Sequence, residues 1–241
     1  MYNHGIAGVM LCEVYGMVGA GVDRRMSKAI ERALAFTAAH QDRPRRHAID
    51  RGGWRYLRPE PYVDADLSIT SWQLMFYRSA RNAGFDVPSE RIDRALRFVV
   101  GCFEPGEGRF DYHPRKREAA RPMTGAGILA LTHGGKFDHE LARKAGDWLL
   151  ARPYRDYNAA QDKYAFHYGL FYAVPAMYML GGHYWHQSFP TMVDTMLRHQ
   201  NADGSWAPES GDSSMYGNVY TTALVVTALN TPNQLLPIMQ R

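Results

Sequence analysis

Two aspartates one residue apart, Asp64 and Asp66, stand immediately before the run Leu67-Ser68-Ile69-Thr70-Ser71-Trp72. A carboxyl group kept protonated in a low-dielectric cavity can donate a proton, and desolvation beside a second carboxylate raises its pKa enough to allow this. On that reading Asp66 is the candidate catalytic donor and Asp64 the neighbour that keeps it protonated. The same residues fit a second role. Asp66 or Ser68 before a buried run is a good helix N-cap, whose oxygen accepts backbone N–H groups and whose pKa falls. The two readings predict shifts of opposite sign.

The stretch from Tyr154 to Tyr178 is dense in rings: Tyr154, Tyr157, Tyr164, Phe166, Tyr168, Phe171, Tyr172 and Tyr178, with His167 among them. Aromatic faces attract cations, and large rings also simply fill the space between helices. His4 and His167 each open an apolar segment, as functional groups at the mouth of a cavity or as satisfied core and capping residues. His183 and His186 are spaced i, i+3, but no carboxylate or further His joins them at ligand spacing, so no metal is expected. A basic loop carries Arg43, Arg45, Arg46, His47, Arg51, Arg55 and Arg58 against Asp42, Asp50 and Glu60, and Arg115-Lys116-Arg117 forms a second basic run. Both fit either an anion site or a solvated surface. Aromatic residues are not interleaved with these charges, and a net charge of +4 over 241 residues is mild, so nucleic acid is not an expected partner.

The elements that must position these residues are helices. Met26, Ala29, Ile30, Ala33 and Leu34 form an i, i+3, i+4, i+7, i+8 stripe, and Ile92, Ala95, Leu96, Val99 and Val100 repeat it. Leu141, Ala145, Trp148 and Leu149 make a third stripe, and Phe189, Met192, Val193, Met196 and Leu197 a fourth. Such stripes belong to helices buried on one face. Between them run segments with almost no polar side, of which 220–229 is the clearest, predicting helices buried all round. Each carries a polar or aromatic residue, a small one and an apolar one: His4-Gly5-Ile6, Thr70-Ser71-Trp72, Thr124-Gly125-Ala126, Tyr168-Gly169-Leu170 and Thr222-Ala223-Leu224.

Outer and inner helices are joined by a turn whose best copy is Gln200-Asn201-Ala202-Asp203-Gly204-Ser205-Trp206. Gly204 permits positive φ, Trp206 stacks on the helix end, and the Gln200 amide caps free backbone groups. Weaker copies stand at Gly53-Trp54, Gly108-Arg109-Phe110 and Asp162-Lys163-Tyr164, placing aromatic residues at 54, 110, 164 and 206, at intervals of 56, 54 and 42. Helical hairpins stacked in this way bury the faces their neighbours leave open. Curving the row gives an all-α fold, an α/α toroid of about five hairpins, partial or complete, spanning 1–241 as a single domain.

The Gln-x3-Gly-x-Trp turn, its weaker copies and the alternating helices resemble the prenyltransferase and squalene oxidase repeats of squalene-hopene cyclases, protein prenyltransferase β subunits and related toroids. The resemblance covers nearly the whole chain. It implies an apolar isoprenoid ligand in a central cavity, lined here by His4, Trp72, His167, Tyr168, Phe171 and Tyr172. It also implies, if the protein is active, the isomerase chemistry of class II terpene cyclases, which protonate their substrate with the middle Asp of Asp-x-Asp-Asp. Asp64-Ala65-Asp66 matches the first three positions, and Leu67 departs from the fourth. Protein prenyltransferases bind zinc through an Asp-x-Cys element and a later His. No Asp-x-Cys occurs here, so neither metal nor other cofactor is expected. Two alternatives remain. One is a non-catalytic binding or assembly toroid, as in thioester-containing domains, whose reactive Gly-Cys-Gly-Glu-Gln is absent; the other is a carbohydrate-processing toroid using Asp64 with Asp66 or Asp162.

Cys12 and Cys102 are too few and too far apart for a disulfide framework and read as buried thiols. No apolar run approaches the roughly 20 residues of a membrane span, and the N-terminus lacks the order of a signal peptide. The expectation is a soluble, by default cytoplasmic, chain. Because 1–20 begins inside an inner helix, the array either starts with an atypical cap or belongs to a longer chain.

Overall fold

The computed structural model describes residues 1–58, 62–116, 120–155, 157, 166–208 and 215–240. The Asp162-Lys163-Tyr164 copy of the turn lies outside them. Among the described residues helices alternate in two layers. The inner set is α1 (Tyr2–Val14), α3 (Leu67–Asn82), α5 (Arg121–His133), α7 (Phe166–Leu180) and α9 (Gly217–Leu229). The outer set is α2 (Ala20–Gln41), α4 (Ser89–Gly101), α6 (Glu140–Leu150) and α8 (Gly182–Arg198). Each inner helix packs on the next, α1 on α3, α3 on α5, α5 on α7 and α7 on α9. Two short antiparallel strands, β1 (Phe103–Glu104) and β2 (Arg109–Phe110), sit in the α4–α5 turn.

The small residues of the inner helices explain how closely that row is packed. A Cβ on Gly125 would lie 2.9 Å from the Ala173 nitrogen of α7, and one on Gly8 2.6 Å from the Phe76 ring of α3. The row curves. Ser68 on α3 meets Tyr168 on α7 across the intervening α5, and the Trp72 and Phe171 rings of the same two helices stack with centroids 5.3 Å apart. Side chains from non-adjacent inner helices can meet only across a concave face, and the fold is an α/α toroid.

Burial follows position in the row. In α5 every residue is buried, and α3 and α7 are buried nearly all round. The segment 220–229 differs from its expectation: in α9 only Thr221, Val225 and Ala228 are buried, and Val219 and Val226 are 85% and 44% exposed. The physical reason is that, among the described residues, the inner helix α9 packs against is α7, on one side. The same holds for α1, whose Ile6 and Met10 face outward. The outer stripes are buried as expected at Ile30, Ala95, Val99, Ala145 and Met196, while Val100 and Leu197 at their ends are exposed.

The first and last of these turns share a pattern of hydrogen bonds. Gly204 has φ +83° and Gly108 φ +74°; in the first copy the left-handed residue is Gly52 at +89°, not Gly53, which instead packs on Ala65 and Phe98. The buried Trp206 donates its backbone N–H to Thr222 Oγ1 at 3.1 Å and its indole N–H to the Met196 carbonyl at 2.8 Å. Trp54 does the same to Thr70 Oγ1 and the Thr37 carbonyl, both at 3.0 Å. The Gln200 amide donates to the Gly204 carbonyl at 3.0 Å, and its counterpart Gln41 to the Gly52 carbonyl at 3.0 Å.

After α9 the chain turns back. Its segment Pro237–Met239 packs against α3, and the Ile238 N–H donates to the buried carboxylate of Glu13 at the end of α1, at 3.1 Å. Among the described residues no helix is long and apolar enough to cross a membrane.

Candidate functional site

The N-terminal ends of the inner helices carry the polar side chains of the site. Asp66 caps α3: Oδ1 accepts from the Ile69 N–H at 2.7 Å, and Oδ2 pairs with Arg55 Nη1 at 2.6 Å. Arg55 also donates to the Tyr112 hydroxyl and lies over the Tyr56 and Tyr112 rings, 4.9 and 5.6 Å from their centroids. The segment holding Asp66 is fixed at both ends, its N–H bonded to the Trp54 carbonyl and the next N–H, that of Leu67, to the Tyr112 carbonyl.

Complete burial pushes the Asp66 carboxyl above the ordinary carboxylate range, while the Ile69 N–H, the Arg55 guanidinium and the Tyr112 hydroxyl pull it down. The geometry is therefore that of a cap, yet the shift is upward, because the cap sits in the interior rather than on a solvated helix end. Asp64 does not supply the shift. Its carboxylate is bonded to Arg46, through the backbone N–H at 2.8 Å and Nη2 at 2.6 Å, and that guanidinium holds it below the usual range. The two aspartates thus serve different arginines.

Beside this ion pair the rings of the axis meet. Tyr2 of α1 donates its hydroxyl to Ser68 Oγ at 2.6 Å, Ser68 bonds Tyr168 at 2.5 Å, and Tyr168 bonds Tyr172 at 2.9 Å. Burial raises the pKa of all three tyrosines, so the chain is one of neutral hydroxyls. Trp72 and Phe171 stack next to it, and Phe171 meets Tyr172 edge to face at 5.0 Å. Trp72 and Tyr168 are half-buried.

Four of the six residues expected to line a cavity, Trp72, Tyr168, Phe171 and Tyr172, are therefore brought together. The other two are not. His4 turns outward to α2, with Nε2 2.8 Å from Thr37 Oγ1 and 3.2 Å from the Ala33 carbonyl. His167 is buried against Tyr157, at 4.7 Å between ring centroids, and Tyr157 in turn stacks on His199 of the α8 end. His183 and His186 are both exposed. Among the described residues no group of three or more His, Cys, Asp or Glu is placed to hold a metal, and Asp162 lies outside those residues.

Sequence reasoning missed the partners. Arg55 is 11 residues from Asp66, inside a run of arginines that offers no reason to single it out. It also missed the fully buried pair of Asp50 and His113, at 2.6 Å. His113 Nδ1 accepts the Arg115 N–H at 3.1 Å, which leaves Nε2 as the donor to Asp50. This pair ties the loop before α3 to the loop before α5.

No family model matches the sequence, and no curated protein matches it. Among solved structures the chain is similar to one chain of Candida albicans protein geranylgeranyltransferase-I complexed with GGPP, with a TM-score of 0.56 and 16% sequence identity. The match covers 80% of this chain and 60% of that one, so this chain spans less than two thirds of that chain's length. At this identity the likeness is one of fold: the chain forms a prenyltransferase-like α/α toroid.

Proposed function

We propose that the protein is an isoprenoid-binding toroid in which Asp66 organises the mouth and does not act as a class II cyclase acid. The carrying observation is the aromatic face of the axis, where the half-buried Trp72 and Tyr168 stand on Phe171 and Tyr172. Flat apolar rings with few charges suit a branched hydrocarbon chain, which gains by leaving water and needs orientation rather than strong polar bonds. The fold likeness to a structure complexed with GGPP supports the same class of ligand. A proton donor must reach the substrate. Both Asp66 oxygens are occupied, by the Ile69 N–H and by Arg55, and the residue is 0% exposed. Leu67, in place of a further acid, accords with this reading.

The test uses geranylgeraniol, which carries no charge and reads the apolar site alone. Titration followed by tryptophan fluorescence should saturate in the wild type and lose saturation in Trp72→Ala, with the far-ultraviolet spectrum of the variant unchanged. Incubation with squalene or with a linear polyprenyl diphosphate, followed by gas chromatography and mass spectrometry, should yield no cyclised product. A cyclic product that disappears in Asp66→Asn would overturn the non-catalytic part, and absence of any binding would overturn the whole. A second reading, a toroid used in assembly, is favoured by the exposed Ile6 and Met10 of α1 and Val219 and Val226 of α9.

A further inference from the structure

On the outside of the toroid, between the C-terminal end of α2 and the side of α4, lies a cavity of about 440 Å³ whose wall carries Arg43, Arg45, Arg51, Arg94 and Arg97 and one acid, Asp42. The sequence disperses these groups over more than fifty residues, and the joining of the α2 C-terminus and the loop after it to α4, through Gln41 and Asp42, collects them. Asp42 is already committed. Its carboxylate takes Arg94 at 2.6 Å and Arg91 at 3.0 Å, which binds the two outer helices together and leaves little negative charge for the cavity. Arg43, Arg51 and Arg97 are exposed and make no ion pair among the described residues.

Two of the guanidinium groups are held in place by the fold. Arg45 donates through Nη2 to the carbonyls of His40 at 3.0 Å and Gly53 at 2.8 Å, and Arg94 donates to Gln41 Oε1 at 3.1 Å. In each, the buried Nε–H has no hydrogen-bond partner. A buried donor left without an acceptor costs free energy. The exposed Arg43, Arg51 and Arg97 can each present two parallel N–H groups to the concavity, beside the two fixed cations, which suits a compact, tetrahedral, multiply charged anion. Among the described residues no aromatic ring lines the cavity on which a base could stack, so the chemistry is that of the phosphate group alone.

We infer that this cavity binds a phosphate or diphosphate group, free on a small molecule or borne by a lipid headgroup. It is formed by the loop after α2 together with the outer helix α4, whereas the aromatic face of the axis is formed by inner helices, so the two can be tested separately.

Isothermal titration calorimetry with inorganic pyrophosphate should give one site per chain, with affinity falling as salt is raised. Replacing both Arg51 and Arg97 by serine should weaken it by at least about tenfold, a charge-assisted bond being lost at each. Arg32→Ser, an exposed arginine of α2 away from the cavity, should leave the affinity within about twofold of the wild type. Flotation with phosphatidylcholine vesicles, with and without phosphatidic acid, separates the sources. Recruitment by phosphatidic acid that pyrophosphate competes away identifies a headgroup; pyrophosphate binding without recruitment identifies a soluble phosphate. Failure of both probes at low salt would overturn the assignment. So would unchanged affinity in Arg51→Ser/Arg97→Ser, or an equal loss in Arg32→Ser, which would mark attraction to the general surface charge.

Discussion

Replacing Thr70 and Thr222 by valine, one at a time, tests whether the aromatic turns are equivalent clasps in unequal surroundings. Each threonine hydroxyl accepts the backbone N–H of the turn tryptophan 16 residues earlier, at 3.0 Å for Trp54 and 3.1 Å for Trp206. Valine keeps the volume and the β-branch, so no cavity opens and helix propensity barely changes. What is lost is the acceptor. At Thr70, 0% exposed beneath a Trp54 that is also 0% exposed, the N–H is left unsatisfied in the interior, at about 1–3 kcal/mol. At Thr222, half-buried in the last inner helix, water can replace the hydroxyl, and the cost should stay within about 1 kcal/mol. For a chain of this length about 2 kcal/mol corresponds to roughly 4–8 °C in thermal midpoint. Urea unfolding at constant m-value is the more direct measure. Equal costs at the two sites, or a larger cost at Thr222, would refute the argument that burial rather than the bond itself sets the energy.

Gly125→Ala should destabilise by about 1–3 kcal/mol despite alanine's higher helix propensity, since its Cβ would press on the α7 backbone 2.9–3.0 Å away and overpacking outweighs the propensity gain; an unchanged urea midpoint would contradict the close approach. Arg55→Met should cost about 3–5 kcal/mol by stranding the buried Asp66 charge, whereas Asn at 66 can still cap the Ile69 N–H, so Asp66→Asn should cost less, and the reverse order in thermal melts would count against the ion pair. His133, 4% exposed, has its pKa lowered to about 4 by burial. Because the folded value lies below the unfolded 6.5, its neutrality stabilises the fold fully above pH 6.5. That contribution, about 3 kcal/mol, is lost as pH falls toward 4. His133→Leu should flatten the stability profile in that window, and a slope identical to the wild type would exclude His133 as its source.

The fold was legible because its signals are local. A stripe at helical spacing, a small residue where another helix must approach, and a glycine two residues before an aromatic each follow from contacts within one repeat. Even there a local rule misled once. Gly53 adjoins Trp54, but the left-handed residue is Gly52, the one two before the ring, as at Gly108 and Gly204. Gln41 was hidden as the partner of that turn because 11 residues separate it from Gly52, against four between Gln200 and Gly204.

By itself the sequence determined the alternation of inner and outer helices, the turns between them and the aromatic character of α7. It also placed Asp66 at the start of α3, since an N-cap is a matter of three or four consecutive residues. Only the tertiary structure decided what Asp66 faces, which of many arginines reaches it, and that Asp50 and His113, 63 residues apart, are hydrogen-bonded. It decided also that His4 points to α2 while Trp72 and Tyr168 point to the axis, and that α9 is covered on one side. The reason is geometric. Periodicity fixes which residues share a helix face, but which face meets the axis depends on the curvature summed over all the repeats. Whether a face is covered depends on how many neighbours the row supplies, which no single repeat records.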